Sequence, residues 1–303
     1  MSIVAIVNPR SGNGKSAEVW TRVRRHLPGS IETLETRTPA HAIELAREAI
    51  KAGARTVVAV GGDGTISEVV NGFFEGGRPI STEARLGIVP HGTGSDFTRI
   101  LNFPVDEKKI AAVLHHGEPR LVDVLKVRYT RIDGSNGLRY SINITSFGMG
   151  GAVAAKANRS SKPLGGKIAY LMATLQTALS FSGNSVTLKI DGSDSIEERI
   201  TSVAAGNGQY HGAGMWACPG ASIDDGIVDV TVIRYLSLFE LLKGLHVLYN
   251  GSIYSHSKVK AYRARRIEAT SKESALLEID GEPLGRLPIE ISIVPNVIRV
   301  LMP

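Results

Sequence analysis

The sequence predicts an α/β domain built on a parallel sheet, followed by a second domain that is β-rich and mostly antiparallel. Two observations predict the first domain: its strand-like runs are apolar without alternation, and helical stretches separate them. A third predicts the second domain. After about residue 120 strand patterns follow one another with few helices between them.

The elements can be justified in order. "SIVAIVN" reads as a buried strand, and "GKSAEVWTRVRRHL" has helical spacing at Ala17, Trp20, Val23 and Leu27. "SIETLET" is a strand. "PAHAIELAREAIKAG" starts with Pro39 near its first turn and stops at Gly53, as a helix does. "RTVVAVGG" is a fully apolar strand, "DGTISEVVNGFFEG" a helix and "RLGIVP" another strand. In the second part "LVDVLKVRY", "RYSINITSFG", "SVTLKI", "RITSVAAGNG", "IVDVTVIRY", "KVKAYRARRIEAT", "ALLEID" and "LPIEISIVPNVIRVLMP" read as strands. Asp133-Gly134, Asp191-Gly192 and Asp280-Gly281 mark turns. The helical stretches there are "GGKIAYLMATLQTALSF" and "LFELLKGLHVLYN". The domains are expected at 1–130 and 131–303, with the last strand a candidate to return to the first domain. A ligand is expected in the cleft between them.

Composition bounds the function. At 303 residues, with 43% hydrophobic and 21% charged residues, the chain has an ordinary globular composition and length enough for two domains. Its only cysteine, Cys218, excludes an internal disulfide framework and suits a reducing compartment. The opening residues form a strand with no charged n-region or apolar h-region, so no signal peptide is expected, and no apolar run reaches spanning length. A cytoplasmic location follows as an expectation. Lys plus Arg is 35 against 29 for Asp plus Glu, and the net charge of +6 favours anionic partners. The densest basic stretch, Lys258 to Arg266, alternates with apolar residues as a solvated strand face does. It lacks the aromatics or recognition helix that nucleic-acid binding uses, so nucleic acid is not expected as a partner.

Three glycine-rich loops carry the chemistry. The first, "NPRSGNGKS", is not a P-loop, because the position of that motif's first glycine holds Pro9, which has no N–H. As a dinucleotide fingerprint, Gly12-x-Gly14-x-x-Ala17 with Glu32 or Glu35 for a ribose, it follows its strand at too great a distance. The central loop is stronger. A buried strand ends in Gly61-Gly62-Asp63-Gly64-Thr65 and runs into a helix, whose N-terminus offers unpaired N–H groups to a phosphate. Asp63 there makes sense if a divalent cation bridges it to the phosphates. The third loop, Gly92-Thr93-Gly94, also follows a strand, with Ser95 or Asp96 capping the next helix.

The motifs "NPRSGNGK", "GGDGTISEVVNG" and "GTGSDFTR" resemble the diacylglycerol kinase catalytic family, which includes bacterial YegS-like lipid kinases and is distantly related to NAD kinases. "NITSFGMGG", "GNGQYHGAGMWACPGASIDDGIVDV" and "EIDGEPLG" follow in that family's order, so the resemblance covers nearly the whole chain. It implies an NAD kinase/diacylglycerol kinase-like fold with the active site in the interdomain cleft. It implies ATP and Mg²⁺ as cofactors, a lipid substrate met at the membrane surface, and a peripheral position at the inner face. A homodimer stays open. The nucleotide contacts it implies are Asn8, Lys15, Thr36 and the central loop Gly61, Gly62, Asp63, Gly64, Thr65, Ile66, Ser67 and Glu68, with Thr93 from the third loop. Asp96, Arg99, Asp123 and Asp280 match an ion-pair and metal network. Asp225, with backbone carbonyls of Ser222 and Ile227, resembles a structural Mg²⁺ site. Glu282 resembles the general base, with Asp63 and Asp280 beside it in the catalytic set. Ser95 stands where the family usually has asparagine. His91, His211 and Cys218 are assigned no chemistry.

Glu282 also stands out on its own. Five Asp-Gly pairs occur, and only the one at Asp280 is followed at once by a carboxylate and a proline that restricts its backbone. An alcohol must lose its proton to attack phosphorus, and a positioned carboxylate can take it. The reading is an ATP-dependent lipid kinase acting on a hydroxyl of diacylglycerol or a related alcohol. The alternatives are an NAD kinase-like enzyme with a soluble acceptor and a non-catalytic nucleotide- or lipid-binding regulator.

Overall fold

The computed structural model describes residues 2–92, 94–159 and 166–303. The chain divides into two compact units, one of residues 1–123 and 295–303, the other of 124–294.

In the first unit Ile3–Val7 pairs in parallel with Glu32–Glu35 and with Thr56–Gly61, and Thr56–Gly61 pairs in parallel with Arg85–Pro90. Arg299 and Val300, near the end of the last strand, add to Arg85 and Leu86, again in parallel. The reason is visible in Thr56–Gly61, every residue of which is buried. Helices His41–Lys51 and Asp63–Gly72 bury Ala42, Ala46, Val69 and Val70 as these strands bury Val57 and Val60. Covering such a strand on both faces takes its apolar surface from water, at roughly 25 cal/mol per Å². A further helix, Glu107–His116, goes beyond the sequence reading. Asp106 caps it, accepting from the N–H groups of Lys108 and Lys109, and Ile110, Val113 and Leu114 form its buried stripe.

The second unit is β-rich. Asn184–Ile190, Ile196–Gly206 and Val228–Arg234 pair antiparallel in succession, and Ile144–Gly148 pairs antiparallel with Ile196–Gly206 and Leu276–Ile279. Their inward residues, among them Phe147, Val203, Val230 and Leu277, form one continuous core. Two sequence expectations are corrected here. "KVKAYRARRIEAT" is not one strand but two, Val259–Ala264 and Arg266–Ser271. Asp191 breaks it by accepting from the backbone N–H groups of both Arg265 and Arg266. The second is an added helix, Met149–Arg159, which opens on Met-Gly-Gly, a poor helix start. Packing overrides propensity there, since a Cβ on Gly151 would lie 2.3 Å from the carbonyl oxygen of Leu276.

Among the described residues no helix is long and apolar enough to cross a membrane.

Candidate active site

In the first unit three loops leave the carboxyl ends of adjacent strands and are tied to one another. The Ser11 hydroxyl is the tie. It donates to the carbonyl of His91 (2.8 Å) and accepts from the N–H of Gly62 (2.9 Å), so one side chain of the first loop holds the second and third. Backbone bonds from Asn8 N–H to Val60 O (3.1 Å) and from His91 N–H to Gly61 O (2.8 Å) continue the sheet into the loops. The Asn8 amide donates to Thr65 Oγ1 (3.1 Å). Between the second and third loops there is no room for a side chain, because a Cβ on Gly92 would lie 2.5 Å from Gly62 Cα. The result is a floor of backbone at the strand ends, the place where open α/β sheets bind phosphates.

The expected nucleotide residues take different places on this floor. Asp63 begins its helix and accepts from Phe97 N–H (3.3 Å), which joins it to the helix Asp96–Ile100. Asp96 is buried, and Arg99 lines a polar groove with His91, Gly92 and Ser95. Ser95 itself has φ +55°, a conformation asparagine adopts more readily than serine. Thr36 extends the second strand through its N–H to Val7 O (2.9 Å). Glu68 points the other way. Its carboxylate accepts from Ala40 and Ala42 N–H (2.9 and 3.2 Å) and caps the helix His41–Lys51, whose own cap residue has no side-chain acceptor. Asp123 is fully buried and accepts from Asn296 N–H (2.7 Å), anchoring the returning end of the chain. Thr93 lies outside the described residues.

In the second unit Asp280 and Gly281 form a turn with φ of +49° and +86°. The Asp280 carboxylate is buried and accepts from Ser141 Oγ (2.6 Å) and from the N–H groups of Ile142, Asn143 and Ile144 (3.1–3.2 Å). Such a nest stabilises the anion and fixes the turn. Glu282, half-buried, is the first residue of the strand that leaves it.

Sequence reasoning missed the partner of this turn. Glu278 is fully buried, and its Oε2 accepts from Gly281 N–H (2.6 Å). Its Oε1 lies 3.7 Å from His211 Nε2. Burial raises the Glu278 pKa above the ordinary glutamate range, with His211 and the Gly281 amide opposing. The available signal was a glutamate in the apolar run "ALLEID", a position that needs a partner if it points inward.

His211 also lines an apolar cavity of the second unit, with Met149, Val153, Met215, Leu241 and Leu248. Ser146, Thr174, Thr201, Ser202, Thr231 and His256 add hydroxyls and an imidazole. No aspartate, glutamate, lysine or arginine lines it among the described residues.

For a metal the geometry is specific. Among the described residues no group of three or more His, Cys, Asp or Glu side chains is arranged to hold one. On the turn 222–227, Asp225 Oδ1 accepts from Ile227 N–H (3.0 Å), its other oxygen pairs with Arg263, and Ser222 Oγ donates to Asp224 (3.0 Å). Asp229 lies beside the same arginine at 3.9 Å. Its buried Oδ2 has no hydrogen-bond partner among the described residues. Desolvation raises the Asp229 pKa, against the pull of Arg263. Carboxylate oxygens on a turn of carbonyls fit a hard cation, with Arg263 as the competing positive charge.

Comparison with known proteins shows the family. The diacylglycerol kinase catalytic domain matches residues 2–127, and the YegS C-terminal NAD kinase beta sandwich-like domain matches residues 143–302. The chain belongs to the diacylglycerol kinase catalytic-domain family. A protein named probable lipid kinase YegS-like from Xanthomonas oryzae pv. oryzae is 34% identical over 84% of this chain and 81% of its own length. A diacylglycerol kinase of Mycobacterium tuberculosis is 28% identical over 99% of this chain and 95% of its own. The crystal structure of a diacylglycerol kinase from Bacillus anthracis str. Sterne shares the fold, with a TM-score of 0.70 at 21% identity over 100% of this chain and 97% of its own.

Two predictions follow from the geometry alone. Ser11→Ala removes the partners of the part-buried Gly62 N–H and His91 carbonyl, at a cost of roughly 0.5–1.5 kcal/mol per hydrogen bond. The urea midpoint should fall and amide exchange at Gly62 should accelerate. An unchanged midpoint with unchanged exchange would show that the loops do not depend on Ser11. The second concerns Cys218, which is fully buried against the Ala204 and Asp229 carbonyls, with its thiol pushed up to about 12 by burial. Against an ordinary thiol near 8.5, its thiolate fraction at pH 8 is smaller by roughly 10³-fold. Native protein should therefore resist iodoacetamide at pH 8 and react once urea unfolds it. Rapid native labelling would place the thiol at the surface.

Proposed function

We infer that this protein is an ATP-dependent lipid kinase that phosphorylates a hydroxyl of diacylglycerol or a related lipid alcohol. One observation carries the lipid half of the reading: the apolar cavity, whose lining among the described residues bears no acidic or basic chain apart from imidazoles. A soluble, charged acceptor would lose its hydration there without a partner. An acyl chain would gain by leaving water. The NAD kinase-like alternative is disfavoured on the same ground. Membership of the kinase family and the backbone floor at the strand ends support the ATP half.

In this reading Asn8, Lys15, Thr36 and the loops 61–67 and 92–94 hold the nucleotide. ATP would supply the γ-phosphoryl group, with ADP as the leaving group. Backbone N–H groups at the start of the helix Asp63–Gly72 face negative charge, as helix N-termini favour. Asp63 would hold the cation that accompanies the phosphates, and Asp96 and Arg99 would order the third loop. Glu282 takes the proton of the lipid hydroxyl as that oxygen bonds to phosphorus. Asp280, its anion stabilised by Ser141 Oγ and three backbone N–H groups, positions Glu282 rather than accepting the proton itself. Catalysis is then positioning and electrostatics, as phosphoryl transfer generally is. Mg²⁺ at Asp225 serves structure: it would add positive charge where Asp225 and Asp229 now share one arginine. The enzyme works peripherally at the membrane surface.

The deciding experiment measures phosphate transfer from labelled ATP with and without dispersed diacylglycerol. Lipid-dependent product from wild type supports the reading, and product from a soluble acceptor alone sinks it. Glu282→Gln should lower kcat by roughly 10²-fold or more with nucleotide affinity retained. If kcat stays within a few-fold of wild type, the proton goes elsewhere. Asp63→Asn, by contrast, should raise the ATP and Mg²⁺ requirement. For the second cation, Mg²⁺ should raise the melting midpoint of wild type by linkage and not that of Asp225→Ala. Equal shifts in both would remove the metal from that turn.

A further inference from the structure

The helix Leu238–Gly244 and the 3-10 turn Leu245–Leu248 that continues it are apolar on two sides. Leu241, Val247 and Leu248 line the cavity. Leu238, Phe239 and Leu242 are 37%, 75% and 45% exposed, and Tyr249 follows at 57%. A helix that is apolar all round is normally buried all round. Scattered exposed apolar residues are ordinary, but a group of them along one short segment marks a contact surface.

Charge says what that contact is. The one acid of the helix, Glu240, is consumed internally. It accepts from the N–H and Oγ of Ser237 (2.9 and 2.8 Å) and pairs with Lys258 at 2.6 Å. These partners, the lysine first, hold its carboxyl down at about 2. Lys243 and His246 remain exposed beside the apolar residues, and Lys243 makes no ion pair among the described residues. An apolar strip edged by cations, with an aromatic phenol at its end, is the composition of an element that lies in a membrane interface.

We propose that this segment docks on the surface of an anionic lipid bilayer, with Leu238, Phe239 and Leu242 among the acyl chains and Lys243 at the headgroups. The choice of lipid over a second protein rests on the lipid-kinase reading, because an acceptor that lives in the bilayer has to be met there. The segment then has lipid on its outer face and the apolar cavity on its inner face. An acyl chain passing from one to the other crosses a wall that is apolar on both sides.

The test uses the full chain and sedimentation with vesicles of phosphatidylcholine alone or mixed with phosphatidylglycerol. Wild type should bind the mixed vesicles. Phe239→Glu combined with Leu242→Glu should weaken binding by roughly 10-fold or more, since two buried apolar side chains become charges. Lys243→Ala should cost about fivefold on mixed vesicles and nothing on neutral ones. Phosphorylation of a short-chain, monomeric alcohol by the double variant, together with its melting midpoint, should match wild type and so exclude misfolding. Equal sedimentation of wild type and double variant overturns the proposal. So does a wild-type dimer that the double variant converts to monomer without any vesicle binding. Vesicle binding lost in the double variant supports docking even if wild type phosphorylates no lipid alcohol, an outcome that sinks the kinase reading alone.

Discussion

One hydroxyl sets the geometry on which the first unit's chemistry depends. Ser11 Oγ donates to one loop and accepts from another, and both bonds end on backbone. Glycine loops have little enthalpy of their own to hold them, and each glycine gives up more conformational freedom on folding than any other residue. The strands fix where each loop begins, and Ser11 fixes where they meet. With Gly62 and Gly92 in backbone contact, the amides of three strand ends are held at fixed separations. A polyphosphate is bound by such preorganisation rather than by any single strong contact.

The second unit uses a charge for the same purpose. Asp280 spends both carboxylate oxygens on Ser141, Ile142, Asn143 and Ile144 and thereby joins the turn of one hairpin to the start of the neighbouring strand. Its left-handed backbone is a conformation that aspartate tolerates better than most residues, and the hydrogen bonds hold it there. Glu278 closes the turn from the other side through Gly281. The acid proposed as the base therefore stands on a turn held at two points, which is what a group with one productive orientation requires.

Much of this was legible in the sequence. Unbroken apolar runs gave the strands of the first unit because burial on both faces leaves no place for polar alternation. Asp-Gly pairs gave the turns because both of their residues accept positive φ. Glu107–His116 carried its signal in Asp106 and its apolar spacing. Met149–Arg159 carried none, because a helix that starts on two glycines exists only through the packing it allows. Glu68 lay inside a nucleotide motif by letter, yet it caps a neighbouring helix, a partnership between residues 28 apart in the chain. His211 and Glu278 are separated by far more, and no local pattern links an imidazole in one loop to an acid in a later strand.

The stretch from Glu278 to Glu282 shows where local reading ends. It holds three carboxylates at alternate positions, and by letter any of them could accept a proton. What surrounds each one separates them. Glu278 is desolvated, with one oxygen on an amide and the other facing an imidazole, so its environment resists charge. Asp280 is ringed by N–H and O–H donors, most of them on one oxygen, so its charge is stabilised. A group in the first state gives up its proton reluctantly, and a group in the second is a weak base because its anion is stabilised. Glu282 stands half-buried at the start of the strand that leaves the turn. Environment divides neighbouring acids into roles in this way wherever two or more share a site. Here the two acids with fixed duties hold the turn that carries the third.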